Sequence, residues 1–288
     1  MDINRIAVKH VRIDKVDELS RLQGSKYVQS SIIESFDLIK KDLAKGSLVL
    51  FSGTPCQVVA IKNVFRNYDN LYTADLICHG VPSPKVFKDY INWIKCKYGA
   101  IKSFRFRIHS RYSIQGYHAF AICERGIYKR SAQEDPFYHA FIHEIGYRNS
   151  CYKCKYSTKN RLGDITFGDC NSIIYNDPKF TKSNCASLVI LNTNKGKELF
   201  NISREEFQYK KIDLSDEIRY NKRIIETSKK DRQKSELFWD LYRKGYLFDK
   251  YPLYNKKSVI YMFKRLLMRI IPDYWVRVIR KRIRGKQK

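Results

Sequence analysis

Four cysteines stand where thiolate chemistry is expected. Cys56 closes Gly53-Thr54-Pro55-Cys56, Cys78 opens Cys78-His79-Gly80, and Cys151 and Cys154 form Cys151-Tyr-Lys-Cys154. A CxxC lets two sulfurs reach one centre, and four thiolates suit either a zinc ion or an iron–sulfur cluster. Spacing alone leaves both open, and a CxxC also occurs as a thioredoxin-like redox pair. His79, directly after Cys78, is a candidate partner for a cluster sulfur or a flavin ring, with a packed histidine as the plain alternative. Cys96 and Cys123 read as core residues, Cys185 has no motif around it, and Cys170 beside Gly168-Asp169 reads first as a packed thiol. His139 and His143 are four apart on an expected helix, but lack the acid of an HExxH motif and read as a solvated or packed pair.

The elements that must hold these residues follow a strand-then-helix grammar. Ser47–Ser52 is an apolar β-rich run, and Thr54 and Pro55 supply an N-cap and a first helical position. Cys56 therefore falls in the first turn of a helix, a position that favours the thiolate. The grammar repeats in the strand Leu71–Ile77, the exit Cys78-His79-Gly80, and the Ser83-Pro84 start of a helix whose Tyr90, Trp93 and Ile94 face the core. Asp164–Asp169 and Ser187–Asn192 read as further strands, with a helix starting at Lys195-Gly196-Lys197-Glu198. Ser103–Ile108 and Tyr117–Cys123 alternate as an antiparallel pair. The expected fold class is mixed α/β, with one mixed sheet, βα units and the CxxC on a loop. Cys56 and Cys78 then lie at strand carboxyl ends, the edge where open α/β sheets bind ligands. No internal repeat or long low-complexity linker interrupts this order.

The chain has 288 residues, a hydrophobic fraction of 43% and a net charge of +27, which describes a globular protein drawn to acidic partners, anionic lipid or nucleic acid. From Lys256 to Lys288 there are twelve Lys or Arg against Asp273 alone. Val276, Ile279 and Ile283 line one helical side there and Arg277, Arg280, Lys281 and Arg284 the other, as in an interfacial helix on an anionic membrane surface. A helix docked on the body with a solvated basic face is the alternative. Nucleic-acid binding ranks behind both, because no nucleic-acid module accompanies the charge. The chain divides into residues 1–254, a redox domain, and 255–288, a basic amphipathic helical tail. No secretory signal and no transmembrane helix are expected, so the body is expected in the cytoplasm, peripheral at the inner membrane face through the tail. In that reducing compartment eight cysteines point to metal or redox chemistry before disulfides.

Several segments together resemble the C-terminal domain of the coenzyme F420 hydrogenase/dehydrogenase beta subunit family. They are Gly24-Ser-Lys-Tyr-Val-Gln-Ser30, Phe51-Ser-Gly-Thr-Pro-Cys-Gln57, Cys78-His-Gly-Val-Pro-Ser83, Cys151-Tyr-Lys-Cys154, Gly163-Asp-Ile-Thr-Phe-Gly-Asp169 and Ser187-Leu-Val-Ile-Leu-Asn-Thr193. The resemblance implies an iron–sulfur flavoprotein oxidoreductase subunit that passes electrons between a one-electron donor and a two-electron acceptor. It implies a 4Fe–4S cluster on Cys56, Cys78, Cys151 and Cys154. It also implies FAD beside Gly24, Ser25, Lys26 and Tyr27, with Lys26 at the diphosphate. Gly53 and Thr54 would allow close backbone approach to the cofactor, and His79 and Asp169 would adjoin it. An aromatic residue is common in relatives at the position of Cys170, against a ligand role there. Relatives usually carry a ferredoxin-like module with CxxCxxCxxxC clusters and a Ser-Gly-Gly segment associated with flavin. Neither motif is in this sequence, so a shortened relative, a fragment or half of a split protein is expected, working with a ferredoxin-like electron donor or partner subunit. Bacterial relatives occur among cell-surface polysaccharide proteins, which suits a redox step on a sugar precursor; use of coenzyme F420 itself is not implied. The alternative of another class is a truncated, non-catalytic zinc-binding or scaffold protein.

Overall fold

Apolar runs bounded by Gly, Pro and capping residues set the element order. It runs α1 (Ile33–Ala44), β1 (Val49–Gly53), α2 (Pro55–Val64), β2 (Leu71–Leu76), α3 (Pro84–Tyr98), β3 (Ile101–His109), β4 (Tyr117–Cys123) and β5 (Gly126–Ser131). There follow α4 (Pro136–Ile142), α5 (Asn149–Tyr152), β6 (Ile165–Asp169), α6 (Asn171–Asn176), β7 (Ser187–Leu191), α7 (Asn194–Ser203), α8 (Leu214–Tyr220), α9 (Arg232–Arg243) and α10 (Leu247–Lys250). The computed structural model describes residues 8–109, 117–177, 180 and 186–251. The basic segment 255–288 and Cys185 lie outside them.

The fold is mixed α/β, as expected, but its strands form two sheets where one was expected. The larger sheet has the order β1-β2-β6-β7, the first three strands parallel and β7 antiparallel to β6. Strands β3, β4 and β5 make a separate antiparallel sheet. Alternation in Phe104–Ile108 predicts a half-buried strand, and carries no information about which sheet receives it. β2 is one of the two inner strands, and its Leu71, Thr73, Ala74 and Asp75 are all buried, whereas the edge strand β1 alternates. Helices α1 and α2 close one side of β1 over Ile39, Leu43, Phe51, Val58, Ile61 and Phe65.

Both expected helix starts form. Thr54 and Gln57 make a reciprocal capping box with Pro55 at the first helical position, and the Ser83 hydroxyl accepts from the Lys85 amide. Each cap contributes about 1 kcal/mol, so the residues just after β1 and β2 are fixed by local chemistry. α3 buries Val86, Phe87, Tyr90, Ile91 and Ile94 against the second sheet, while Trp93 is half-buried. Phe87, Phe104, Phe106 and Phe137 meet there with centroids 4.9 to 6.0 Å apart, spacings at which aromatic pairs add to burial. Cys123 is buried as expected, but Cys96 is exposed. It lies two residues beyond Ile94, which turns it to the solvent face of α3.

Candidate functional site

The parallel register sets two cysteines side by side. Gly53 pairs with Asp75, and Cys56 and Cys78 each lie three residues beyond that pair. Cys56 is exposed in the first turn of α2, its Sγ 3.2 Å from the Thr54 hydroxyl. Cys78 follows β2 in a loop that docks on the CxxC segment. Pro82 bridges Tyr147, the Arg148 amide donates to the Val81 carbonyl at 3.0 Å, and Cys151 Sγ lies 4.0 Å from that same carbonyl.

Gly80 makes this docking possible. Its φ is +116°, and a Cβ there would stand 2.5 Å from Tyr147 Cδ2 and 3.1 Å from Cys151 Cβ. Only glycine meets both conditions. Cys151 sits in α5, a four-residue helix, and Cys154 follows it; the expected loop is thus half helical. The short turn is held from behind: the Tyr152 hydroxyl donates to the Glu144 carbonyl at 2.7 Å and accepts from the Tyr147 amide at 3.2 Å.

Cys78 and Cys151 each lie within electrostatic reach of the other three sulfurs. Burial pushes the Cys78 thiol up to about 12, and Cys151, Cys56 and Cys154 push it the same way. Burial also raises Cys151, as do Cys56 and Cys154. A thiol raised that far is protonated at neutral pH, so any centre bound there must displace protons. Among the described residues, no group of three or more His, Cys, Asp or Glu side chains is arranged to hold a single metal ion.

A buried ion pair fixes the chain after the CxxC. Arg161 and Asp75 have side chains 1% and 0% exposed and meet at 3.4 Å. Arg161 also donates to the Leu76 carbonyl at 2.8 Å and the Tyr156 carbonyl at 3.3 Å. The other Asp75 oxygen accepts from the amides of Leu162 and Gly163 at 3.3 and 3.2 Å. Tyr156, two residues past Cys154, and the strand that delivers Cys78 are thereby tied together.

Beside the cysteines lies a second constellation. Asp169, at the end of β6, receives both contacts of Arg107 at 3.1 and 3.0 Å, and Arg107 also donates to the Tyr117 hydroxyl. Tyr27 stacks on Phe141 at 4.1 Å and shares an electrostatic interaction with Arg107. The His79 ring is open to solvent, yet dense surrounding protein lowers its pKa, with Glu144, Arg223 and Asp169 also acting on it. Tyr27 and Asp169 thus both act on Arg107, and Asp169 also acts on His79.

Gly24, Ser25 and Lys26 have a different place. Gly24 has φ +83°, Ser25 is half-buried, and the Lys26 ammonium donates to the carbonyls of Leu22, Gln23 and Gly24 at 3.1, 3.0 and 3.2 Å. Burial lowers the Lys26 pKa. All three ammonium protons are therefore engaged within this turn. Gly53 is buried, and a Cβ would stand 3.0 Å from the Phe51 ring. Thr54 and Gly53 are linked to the Gly24–Ser30 segment through Gln57, whose amide donates to the Ser30 carbonyl at 2.7 Å. His10 adds a second link, bonding Ser52 O and the Ser30 hydroxyl at 2.9 Å each. Nearby in sequence, Gln29 Oε1 is buried without a hydrogen-bond partner.

Reasoning from sequence did not single out His10, Gln57, Arg107, Arg161 or the bidentate Glu144–Arg223 pair at 2.6 and 2.8 Å. Their partners are mostly distant in sequence, and the one local peculiarity, Glu144 at φ 58°, leaves no mark on residue type. Cys170 is buried, with its Sγ 3.4 Å from Glu217, a packed thiol as expected. His139 and His143 face each other at 4.2 Å, and His139 also contacts the Tyr251 hydroxyl at 3.2 Å.

Fold and site define a mixed α/β domain with cysteines grouped at the carboxyl edge of its main sheet. The chain belongs to the family described as the C terminus of the coenzyme F420 hydrogenase/dehydrogenase beta subunit, which matches residues 46–216. That span includes all four grouped cysteines with Gly53, Thr54, His79 and Asp169, and stops short of Gly24–Tyr27. It is a hydrogenase/dehydrogenase beta-subunit-like oxidoreductase domain, of a kind that works with partner subunits. No curated protein matches the chain. Among the described residues, no helix is long and apolar enough to cross a membrane.

Proposed function

We propose that this chain is an iron–sulfur flavoprotein subunit that relays electrons between a one-electron donor and a two-electron acceptor. The observation that carries the reading is the mutual approach of Cys56, Cys78, Cys151 and Cys154, from three separate chain segments. Four thiolates are the donor set of a 4Fe–4S cluster, which is the centre that the family resemblance implies. When bound, a cluster supplies one-electron transfer and a flavin couples it to two-electron chemistry.

The chain's own residues prepare this. Gly80 and the Arg161–Asp75 pair hold the two cysteine-bearing segments in contact, and Cys78 is half-buried. FAD would lie along Tyr27, Gly53, Thr54, His79 and Asp169, with the Gly24–Lys26 turn at its rim. The buried, unpartnered Gln29 Oε1 leaves an acceptor for a bound group in that segment. His79, held largely neutral by burial, can donate one hydrogen bond and accept another there. The donor is a ferredoxin-like carrier or partner subunit, and the setting is the cytoplasm. Residues 255–288 would hold the protein at an anionic membrane surface, and a sugar precursor of cell-surface polysaccharide is the acceptor suggested by the bacterial relatives.

Anaerobic purification tests the reading. Broad visible absorbance, with iron and sulfide in cluster stoichiometry and a releasable flavin, is expected. Replacing Cys151 and Cys154 with Ser should abolish the iron. Colourless protein carrying one zinc, or full iron in that double variant, would refute the assignment.

A further inference from the structure

Behind the cysteine-bearing turn is an open depression of ≈ 730 Å³ whose lining includes Ser150, Tyr152, Lys153, Thr227, Lys229 and Lys230. Its position is tied to the site: Ser150, Tyr152 and Lys153 flank Cys151, and Ser228 at its edge donates to the His79 carbonyl. The charge inside it is not neutralised. Lys85, Lys97, Lys210, Lys234 and Lys244 all sit in ion pairs. No carboxylate pairs with Lys153, Lys229 or Lys230 among the described residues. Of the acids near in sequence, Asp231 is taken by Lys234 and Glu144 by Arg223, while Glu226, next to Thr227, pairs with no lysine of the depression among the described residues. Lys230 instead lies 5.9 Å from the centroid of the Tyr152 ring. The hydroxyls of Ser150 and Thr227 make no hydrogen bond within the described chain.

Three lysines on the wall of one depression can share a compact multivalent anion, which gains from each of them. Lysine binds phosphate as a point charge, and free hydroxyls add directed donors. The volume falls within the range of about 300 to 1,000 Å³ typical of small-molecule sites, large enough for an organic group beyond the phosphate. The geometry points to a binding site for a phosphate-bearing organic substrate, held by Lys153, Lys229 and Lys230 against the turn that carries Cys151. As the acceptor in the proposed relay this ligand rests on the redox reading; its binding does not.

The test is calorimetry on the full chain, purified anaerobically, with inorganic pyrophosphate and glucose 1-phosphate as probes and glucose as control. Saturable binding of both phosphates and none of glucose is expected. Lys229→Ala with Lys230→Ala should weaken binding at least about tenfold, or ~1.4 kcal/mol, with iron content and thermal midpoint unchanged. Lys40→Ala with Lys41→Ala, on exposed α1 positions, should leave affinity unaltered. No saturable binding, or equal loss in both double variants, would overturn the site. Protein that binds pyrophosphate at Lys229 and Lys230 but carries no iron would sink the redox reading alone.

Discussion

Replacing Arg161 by Met should unfasten the CxxC segment. Arg161 and Asp75 are almost wholly excluded from solvent, so methionine removes the guanidinium while filling much of its space and leaves a buried carboxylate without its cation. Breaking such a pair from one side costs about 3–5 kcal/mol. Here the low end applies. The contact is long at 3.4 Å, Arg161 Nε has no partner, and Asp75 keeps the amides of Leu162 and Gly163. The expected loss is therefore ~3 kcal/mol, read as a lower urea midpoint at unchanged slope. Asp75→Asn should recover part of it: the Arg161→Met/Asp75→Asn double variant should be more stable than the sum of the single losses predicts, by about 1 kcal/mol or more. The bond from Arg161 to the Tyr156 carbonyl ends two residues past Cys154, so iron content should fall with stability in the single variant. A loss under about 1 kcal/mol for Arg161→Met, or additive losses, would show that the pair does not fasten the loop.

Gly80→Ala places a Cβ against the Tyr147 ring and Cys151 at a positive φ. It should cost at least ~2 kcal/mol, and an unchanged thermal midpoint would contradict the docking described for the Cys78 loop. Asp164 tests the acid limb. Burial pushes its pKa up, but donors from Thr73 and Thr193 outweigh that and hold it below the ordinary 3.8. A depressed folded value means that its contribution is present above the unfolded pKa and is lost as pH falls through the folded one. Asp164→Asn should therefore be less stable than the parent near neutrality, and the gap should shrink at pH values below 3.8. Urea titrations giving a gap independent of pH would refute this.

The part of the site legible in sequence is the part built by neighbours along the chain. Thr54 and Pro55 announce a helix start because cap chemistry is local to the first turn, and so Cys56 is correctly placed without any tertiary information. The same holds for Ser83-Pro84 and the exit of Cys78. The parallel pairing of β1 with β2, which brings the two thiols to one edge, follows from two successive strand–helix units. What sequence does not carry is the closure onto Cys151. That depends on the space above Gly80, which only the Tyr147 ring and the turn after it define, and on an arginine that meets its aspartate 86 residues away. Arg107 and Asp169 are equally remote, 62 residues apart; each is unremarkable by type, and only the meeting of the two sheets makes them a pair. Cys96 failed as a core residue for the converse reason. Thiols are commonly buried, but the face of α3 set by Phe87, Tyr90, Ile91 and Ile94 turns position 96 outward, and helical phase overrides residue preference. The cysteine grouping therefore rests on local signals at two of its four members and on long-range packing at the other two. This is why Arg161 and Gly80, neither of them a sulfur ligand, are the positions where perturbation separates a preformed site from four cysteines that merely share an edge.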